Sequence, residues 1–381
     1  MKNKELKEKL ESLEKTNKRY KIIIIGFIIV FLIEVLVFFN GIYLYTHKDI
    51  IRRSKTVDLL NSYRSKINTK YTPELNSFEN IHNASHKLKL VSSYGDNQAY
   101  HPKVLAFKDK WNGYKYWITF SPFPYGNEKY ENPHIMASND LINWEEPAGF
   151  KNPVEDTPSN YKAKAVYNSD PHIVYNNDTN KLELYWRYVN DVDDLVIIYR
   201  KTTTDGVNWS EKEEILKANR SKKDYISPAI IYEKGQYKMW YVDKKNVLKY
   251  IESNDGYNYK NEQIIKLKYP LAVLKTWHLD VIKTEKGYEM ITVAYVNFKD
   301  RNSMNLYYFN SKNNKDWSNG IVILRPSLVS WDNSGIYRSS FIYEDGVYYV
   351  FYSGVSSYKE RGIAMSYGEH IENLIGSNIE Y

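Results

Sequence analysis

Five polar residues stand at equivalent points of a repeated sequence pattern, and their side chains suit acid–base chemistry. They are His101, Asp170, Ser227, His278 and Arg338. Histidine titrates near neutral pH, so it can act as a general acid, and an aspartate beside a histidine can activate a water molecule. Arginine can hold a carboxylate or phosphate through two hydrogen bonds. If the fold brings these residues together, they predict a reaction centre.

Residues next to these anchors extend the candidate site. Asp280 follows His278 by two positions, so both side chains lie on the same side of a strand. Asp224 lies just before the third anchor and can reach the same place, while Trp277 and Tyr337 offer flat rings that can stack on a sugar face. We predict three catalytic residues, Asp170, His278 and Asp280. We predict six substrate-binding residues, His101, Asp224, Ser227, Trp277, Tyr337 and Arg338.

The pattern behind the anchors is an internal repeat with five units. Each unit has an anchor, a short apolar strand, a turn and a second strand rich in aromatic and branched residues, as in residues 168–188. The first four units continue with a third strand and a polar turn, in which Asp or Asn stands four positions before an aromatic residue. These turns lie at residues 138–144, 204–209, 253–259 and 311–317. We interpret them as structural, because the polar side chain can satisfy backbone N–H groups.

Hydrophobic alternation, glycine-containing turns and three to four strands per unit predict a radial array of small antiparallel sheets. The predicted fold is therefore all-β, a five-bladed β-propeller over residues 89–381. In a propeller the innermost strand of every blade starts at one rim of the central channel, so the anchors should converge there. Proline follows three of the anchors, and we expect an extended entry into those strands.

The anchors also have structural explanations. Asp170 can cap backbone groups at the blade rim, and Arg338 can simply pair with it. The two histidines and Asp280 can be hydrogen-bonded within their blades. The case for a site therefore rests on the convergence of all five polar anchors, since a purely structural channel can be apolar.

The N-terminal part of the chain predicts a membrane anchor. Residues 22–45 form an apolar run of 24 residues, which is long enough to cross a bilayer as a helix. Eight Lys or Arg residues precede it and fewer follow, so we expect residues 1–21 to be cytoplasmic and the propeller to be extracytoplasmic. Residues 46–88 are interpreted as a stalk. The predicted localisation is the cell membrane, with a single span.

Glu34 lies within this apolar run. A carboxylate at the centre of a span costs roughly 2.5–3.5 kcal/mol on insertion scales. It indicates either a contact with a partner helix in the membrane or a protonated glutamate that a strongly apolar helix tolerates.

The composition argues against several classes of function. The chain has 381 residues, a net charge of +7 and no cysteine, so disulfides, thiolate catalysis and cysteine-ligated zinc are excluded. The basic residues form no clustered stripe, and we expect no nucleic-acid partner. The sequence has no phosphate-cradling glycine-rich loop, no nucleophile elbow and no His-Glu-x-x-His motif.

The candidate site requires no cofactor, although calcium or another metal is compatible with it. The residues of ligand type are His101, Asp170, His278 and Asp280. Their spacing is not diagnostic of a metal site, so the metal stays unknown.

The sequence resembles the five-bladed glycoside hydrolases of families 43, 32, 62 and 68 over roughly residues 90–370. The resemblance is carried by the polar turn at 138–144, by Asp170 with the proline after it, and by the Tyr-Arg pair that ends in Arg338. It implies three carboxylates in the first three blades, which act as nucleophile or base, as a tuning aspartate and as general acid. Only the second is present, as Asp170. His101 stands where an aspartate is expected, and residues 225–228 lack the expected glutamate.

Two functions are consistent with these observations. The first is an enzyme similar to a glycoside hydrolase, which trims a cell-surface or secreted polysaccharide with non-standard catalytic residues. The second is a non-catalytic propeller that binds a glycan or a partner protein in a polysaccharide synthesis or export complex. The sequence favours the enzyme, and the arrangement of the acidic and histidine side chains around the channel mouth distinguishes the two.

Overall fold

The computed structural model describes residues 2–46, 81–296, 303–328 and 330–378, with side chains from residue 6 to 36 in the first of these segments. The chain divides into two compact units, Met1–Thr56 and Val57–Tyr381.

The described part of the N-terminal unit is a helix, α1, which spans Lys2–Thr46. Within the residues whose side chains are described, no helix combines the length and the apolar character that a bilayer crossing needs. The span at residues 22–45 stays a prediction, and its last nine side chains lie outside the described residues. Most of the predicted stalk, residues 47–80, also lies outside them.

The described part of the second unit forms five antiparallel sheets, one for each repeat of the sequence. The first sheet contains β1 (Ala99–Trp111), β2 (Tyr114–Pro122) and β3 (His134–Ser138). The second contains β4 (Val166–Asn176), β5 (Lys181–Asn190), β6 (Leu195–Thr203) and β7 (Glu213–Asn219).

The remaining sheets have the same strand order. The third contains β8 (Ile226–Glu233), β9 (Gln236–Val242), β10 (Leu248–Ser253) and β11 (Lys260–Ile264). The fourth contains β12 (Lys275–Thr284), β13 (Gly287–Tyr295), β14 (Asn305–Ser311) and β15 (Ile321–Leu324). The fifth contains β16 (Gly335–Glu344), β17 (Val347–Val355), β18 (Arg361–Gly368) and β19 (Ile375–Gly376).

The sheets close into a ring through their first strands. β1 packs against β4, β4 against β8, β8 against β12, β12 against β16, and β16 against β1. Apolar clusters fill the space between each pair of neighbouring sheets. They include the fully buried Trp117 and Trp240. The predicted five-bladed β-propeller is confirmed.

Each innermost strand has a register shift against its partner strand beside its anchor residue. In the first three blades the anchor has a left-handed backbone, with φ of 54° at His101, 52° at Asp170 and 53° at Ser227. The expectation of an extended entry was therefore wrong for these strands, although proline disfavours this conformation in the residue before it. Such bulges redirect a side chain out of the strand's alternation and are common next to active sites.

The residues two positions further along the inner strands form a second layer on the axis. Asp280 accepts hydrogen bonds at 2.8 and 3.0 Å from the Lys103 ammonium across the ring. The His172 ring contacts the backbone of Ile230 at 2.9 Å, and Ser340 accepts a hydrogen bond from the backbone N–H of Val104. All four side chains of this layer are buried. The axis is thus filled beneath the anchors.

The polar turns have the structural role that the sequence predicts. In the second blade, Asp205 Oδ1 accepts hydrogen bonds of 2.8 Å from the backbone N–H groups of Val207 and Asn208. Its Oδ2 accepts a third from the Asn208 side chain. The aromatic residue of this turn, Trp209, packs against the cluster between the first two blades. These hydrogen bonds hold the pKa of Asp205 below its usual range.

Replacing Asp205 with alanine should lower the free energy of unfolding by about 1–2 kcal/mol, because several backbone and side-chain donors lose their acceptor. The folded-state pKa is depressed, so this contribution is complete above about pH 4, the unfolded value, and is lost on further acidification. Chemical denaturation of both proteins at pH 7 and pH 3 measures the difference. Asp205→Asn is the control, since it keeps the Oδ1 acceptor and should lose less at pH 7. An equal loss at both pH values would contradict the carboxylate's role.

Candidate active site

Anchors from three blades meet at one buried point. One ligand atom from each of His101, Asp170 and His278 lies within 4.8 Å of the other two, and all three side chains are buried. His278 Nδ1 is 3.5 Å from Asp170 Oδ1. Neither ring nitrogen of His278 has a hydrogen-bond partner among the described residues. A buried imidazole without partners is costly unless a bound group satisfies it.

Asp170 is the charged centre of this cluster. Its Oδ1 accepts a hydrogen bond of 3.4 Å from Arg338 Nη1, and its Oδ2 accepts one of 3.2 Å from the backbone N–H of Ser227. Burial raises the pKa of Asp170, but His278, Arg338 and His101 oppose burial and hold this pKa well below its usual range. Asp170 is therefore an ionised carboxylate at neutral pH.

The two histidines are neutral at physiological pH. Burial lowers the pKa of His101 to about 3, with Asp170 opposing this effect and Arg338 reinforcing it. Burial also lowers the pKa of His278 well below its usual value. Neutral rings offer lone pairs, so they suit ligation better than the general-acid role that the sequence suggests for His278.

Glu131 is a site residue that the repeat pattern does not reveal. Its Oε1 lies 3.2 Å from His101 Nδ1, and Ser121 Oγ lies 2.9 Å from the same nitrogen. Burial raises the pKa of Glu131 well above its usual range. Glu131 comes from the connection between β2 and β3, outside the repeated phrase. The unusual length of that connection is the signal that could have drawn attention to it.

These residues form the floor of a cleft with a volume of about 630 Å³. Its walls combine aromatic and basic side chains. The aromatic residues are Phe123, Tyr167, Trp277 and Tyr337, and the basic ones are Lys164, Arg187, Arg220 and Arg361. Flat rings beside polar groups are typical of surfaces that bind sugars.

Trp277 and Tyr337, the two residues predicted to stack on a sugar, both line the cleft. Trp277 Nε1 donates a hydrogen bond of 2.8 Å to the Tyr337 hydroxyl, which orients both rings. The Tyr337 ring is 4.5 Å from the His278 ring and stacks on Tyr100 at 4.9 Å. These contacts place an aromatic surface directly beside the histidines.

Asp224 and Ser227 support the walls rather than facing the cleft. Asp224 accepts hydrogen bonds of 2.8 and 2.7 Å from Arg187 and one of 3.1 Å from Arg220. Asp224 therefore pairs with two cleft arginines, and Asp191 supplies a second carboxylate to Arg220. The Ser227 hydroxyl contacts the backbone of Leu279, so only its backbone N–H reaches Asp170.

Asp280 does not lie at the cleft. Asp280 lies two residues further along the strand than His278, which places it deeper in the ring than the rim. There the ion pair with Lys103 holds its carboxylate in the second layer. The backbone N–H of Phe341 also donates to its Oδ2 at 3.3 Å. The expected pair of His278 and Asp280 does not form, and the contacts of Asp280 are those of a structural residue.

The comparisons with known proteins agree with this architecture. No family model matches the chain. The A type blood N-acetyl-α-D-galactosamine deacetylase of Flavonifractor plautii is 27% identical over 329 residues, which cover 69% of this chain and 41% of that protein. This chain thus spans about two fifths of the length of that relative.

Solved structures are also similar. An N-acetylgalactosamine deacetylase from F. plautii, in complex with blood group B trisaccharide, has a TM-score of 0.65 at 23% identity, covering 75% of this chain and 94% of that one. A family 43 glycoside hydrolase from Bacteroides ovatus has a TM-score of 0.53 at 12% identity, covering 71% and 52%. The chain has the propeller fold that these enzymes share. The fold implied by the resemblance is therefore confirmed, whereas likeness at this level does not assign the reaction.

Replacing Asp280 with asparagine should lower the free energy of unfolding by about 3 kcal/mol, because it leaves the buried Lys103 ammonium without a counter-charge. Denaturation of the purified chain measures this loss. The double variant Lys103→Met/Asp280→Asn is the matched control, and it should recover part of the loss since it buries no unpaired charge. A single variant that keeps its stability but loses substrate binding would contradict the structural role.

Proposed function

We propose that the propeller is a metal-dependent hydrolase that removes acetyl groups from a cell-surface or secreted polysaccharide. The observation that carries this proposal is the buried convergence of His101, Asp170 and His278, with neither His278 nitrogen hydrogen-bonded among the described residues. The deacetylase of F. plautii, a relative at 27% identity, supports this class of reaction.

The donor set fits a divalent transition metal better than calcium. Two imidazoles and one carboxylate suit zinc, manganese, iron or cobalt, whereas calcium takes six to eight oxygen ligands. Ser121 and Glu131 occupy His101 Nδ1, which leaves Nε2 as the ring nitrogen available to a metal. Such outer contacts fix the orientation of a metal-binding histidine. When bound, the cation would supply Lewis acidity toward an acyl carbonyl or a water molecule.

The residues of the cleft favour acyl removal over cleavage of a glycosidic bond. Glycosidic cleavage ordinarily uses one carboxylic acid and one carboxylate on opposite sides of the bond. Here protein groups already engage both carboxyls: Arg338 and the backbone N–H of Ser227 donate to Asp170, and Glu131 contacts His101. The third blade offers Ser227 where the acid of related hydrolases is expected. Trp277 and Tyr337 can bind the sugar ring while its acetyl group reaches the floor.

We also propose that residues 22–45 anchor the propeller to the outer face of the cell membrane. Their apolar character and the excess of Lys and Arg before them support this arrangement. Glu34 would then be available to a polar group of a second membrane helix. A membrane-tethered hydrolase would act on glycan close to the cell surface.

Replacing His278 with leucine should weaken divalent metal binding at least tenfold and abolish acetate release, since one of three donors is lost. The purified chain is stripped with a chelator and titrated calorimetrically with zinc and with manganese. Acetate and new reducing ends are then assayed on a panel of acetylated polysaccharides.

His134→Gln is the matched control for this experiment. His134 is another buried histidine of the propeller, and its ring contacts Asn132 and Ser93 rather than the cleft. The folded His134→Gln variant should keep the metal affinity and the acetate release of the original chain. New reducing ends without acetate, or unchanged metal binding by His278→Leu, would contradict the proposal.

Membrane anchoring predicts that the full chain sediments with membranes of a bacterial host and resists extraction with alkaline carbonate. Deletion of residues 22–45 should release it, because the apolar segment is gone. Protease added to intact spheroplasts should digest the propeller of the full chain. Recovery of the full chain in the soluble fraction would refute the anchor.

A further inference from the structure

Arg361 is a buried cation in the wall of the cleft. It is the first residue of β18, and 7% of its surface is exposed. Its guanidinium carbon lies 4.5 Å from the centre of the Phe123 ring and 5.4 Å from that of Tyr100. These rings pack beside the guanidinium and contribute to its burial.

The guanidinium has no counter-charge within salt-bridge distance in the described part of the chain. Its Nη1 donates a hydrogen bond of 2.9 Å to the backbone carbonyl of Lys359, while its Nε has no partner among the described residues. The other cleft arginines differ in this respect. Arg187 and Arg220 pair with Asp224. A buried charge is costly unless it is paired, so Arg361 is arranged for an anion that arrives from outside.

The loop after β2 is shaped around this arginine. Gly126 has φ of 81°, and a Cβ at this position would lie 2.9 Å from Arg361 Nη2. The Gln98 side-chain oxygen accepts hydrogen bonds of 3.1 Å from the backbone N–H groups of Tyr125 and Arg361. The same glutamine thus fixes both the loop and the start of β18. Gly126 and Gln98 therefore form a preorganised pocket around the guanidinium.

We propose that Arg361 binds an anionic group of the glycan, so that the substrate is an acidic polysaccharide. Guanidinium binds carboxylate and phosphate oxygens through paired hydrogen bonds, and it does so most strongly where water is excluded. Phe123 lies between the two centres, with its ring 5.9 Å from the ring of His101. The anion is thus carried by the sugar that presents its acetyl group, or by the neighbouring sugar. The assignment of the acetyl group rests on the proposed function, whereas the anion site does not.

The test is a binding measurement with matched pairs of ligands on the purified full chain. The carboxylate pair is an oligosaccharide of alternating glucuronate and N-acetylglucosamine and its carboxyl-reduced form. The phosphate pair is N-acetylglucosamine 6-phosphate and N-acetylglucosamine. Calorimetry should give at least tenfold tighter binding for one acidic ligand than for its neutral counterpart, since charge-assisted hydrogen bonds are gained. A preference in the first pair identifies a carboxylate as the bound anion, and a preference in the second identifies a phosphate.

Arg361→Gln should abolish the preference and leave the affinity for the neutral ligand within about twofold, because only the charge and its hydrogen bonds are removed. Arg361→Lys should retain part of it. Lys359→Gln is the matched control, since this exposed neighbour gives Arg361 only a backbone contact. It should keep the full preference.

The outcome is independent of turnover, because the binding is measured without acetate release. An Arg361-dependent preference in a chain that releases no acetate would support the anion site and refute the deacetylase. Absence of a preference in both pairs, or a preference that survives Arg361→Gln, would overturn the anion site whatever the reaction.

Discussion

The cleft depends on one buried carboxylate and on the guanidinium, the backbone N–H and the imidazole that surround it. Asp170 comes from the second blade, and its partners come from the third, fourth and fifth, so a single charge links four of the repeated units. A carboxylate at the axis would be prohibitively costly without this pairing. The same requirement keeps the histidines within ligand distance. The contacts of Asp170 therefore join the inner strands of four blades at the mouth of the ring.

The left-handed backbone at three anchors helps to bring groups from different repeats to one place. An ordinary strand would alternate its side chains between the sheet faces, and the anchors of different blades would not necessarily converge. The bulges at His101, Asp170 and Ser227 interrupt that alternation at the same height in three blades. Backbone strain of this kind persists only where the surrounding structure fixes it. The apolar clusters between the blades provide that support.

The sequence predicts the parts of this structure that repeat and fails for the parts that do not. Alternation and turns recur in every unit, so the fold and the convergence of His101, Asp170 and His278 follow from alignment of the units. Glu131 and Arg361 lie outside the aligned phrase, and only the folded ring brings them to the cleft. The prediction that Asp280 is catalytic was wrong, because strand periodicity shows which face of the sheet a side chain lies on. It does not show how far along the propeller axis the side chain lies.

The second layer of polar side chains gives the propeller a closed base. In the described part of the chain, Asp280, Lys103 and His172 pack across the axis, so the cleft ends above them. A ligand that enters this cleft therefore leaves through the same opening. In each binding event the cleft can accept a side group of a polysaccharide or the end of its chain. Such a shape fits a group that projects from a chain better than a chain drawn through the ring.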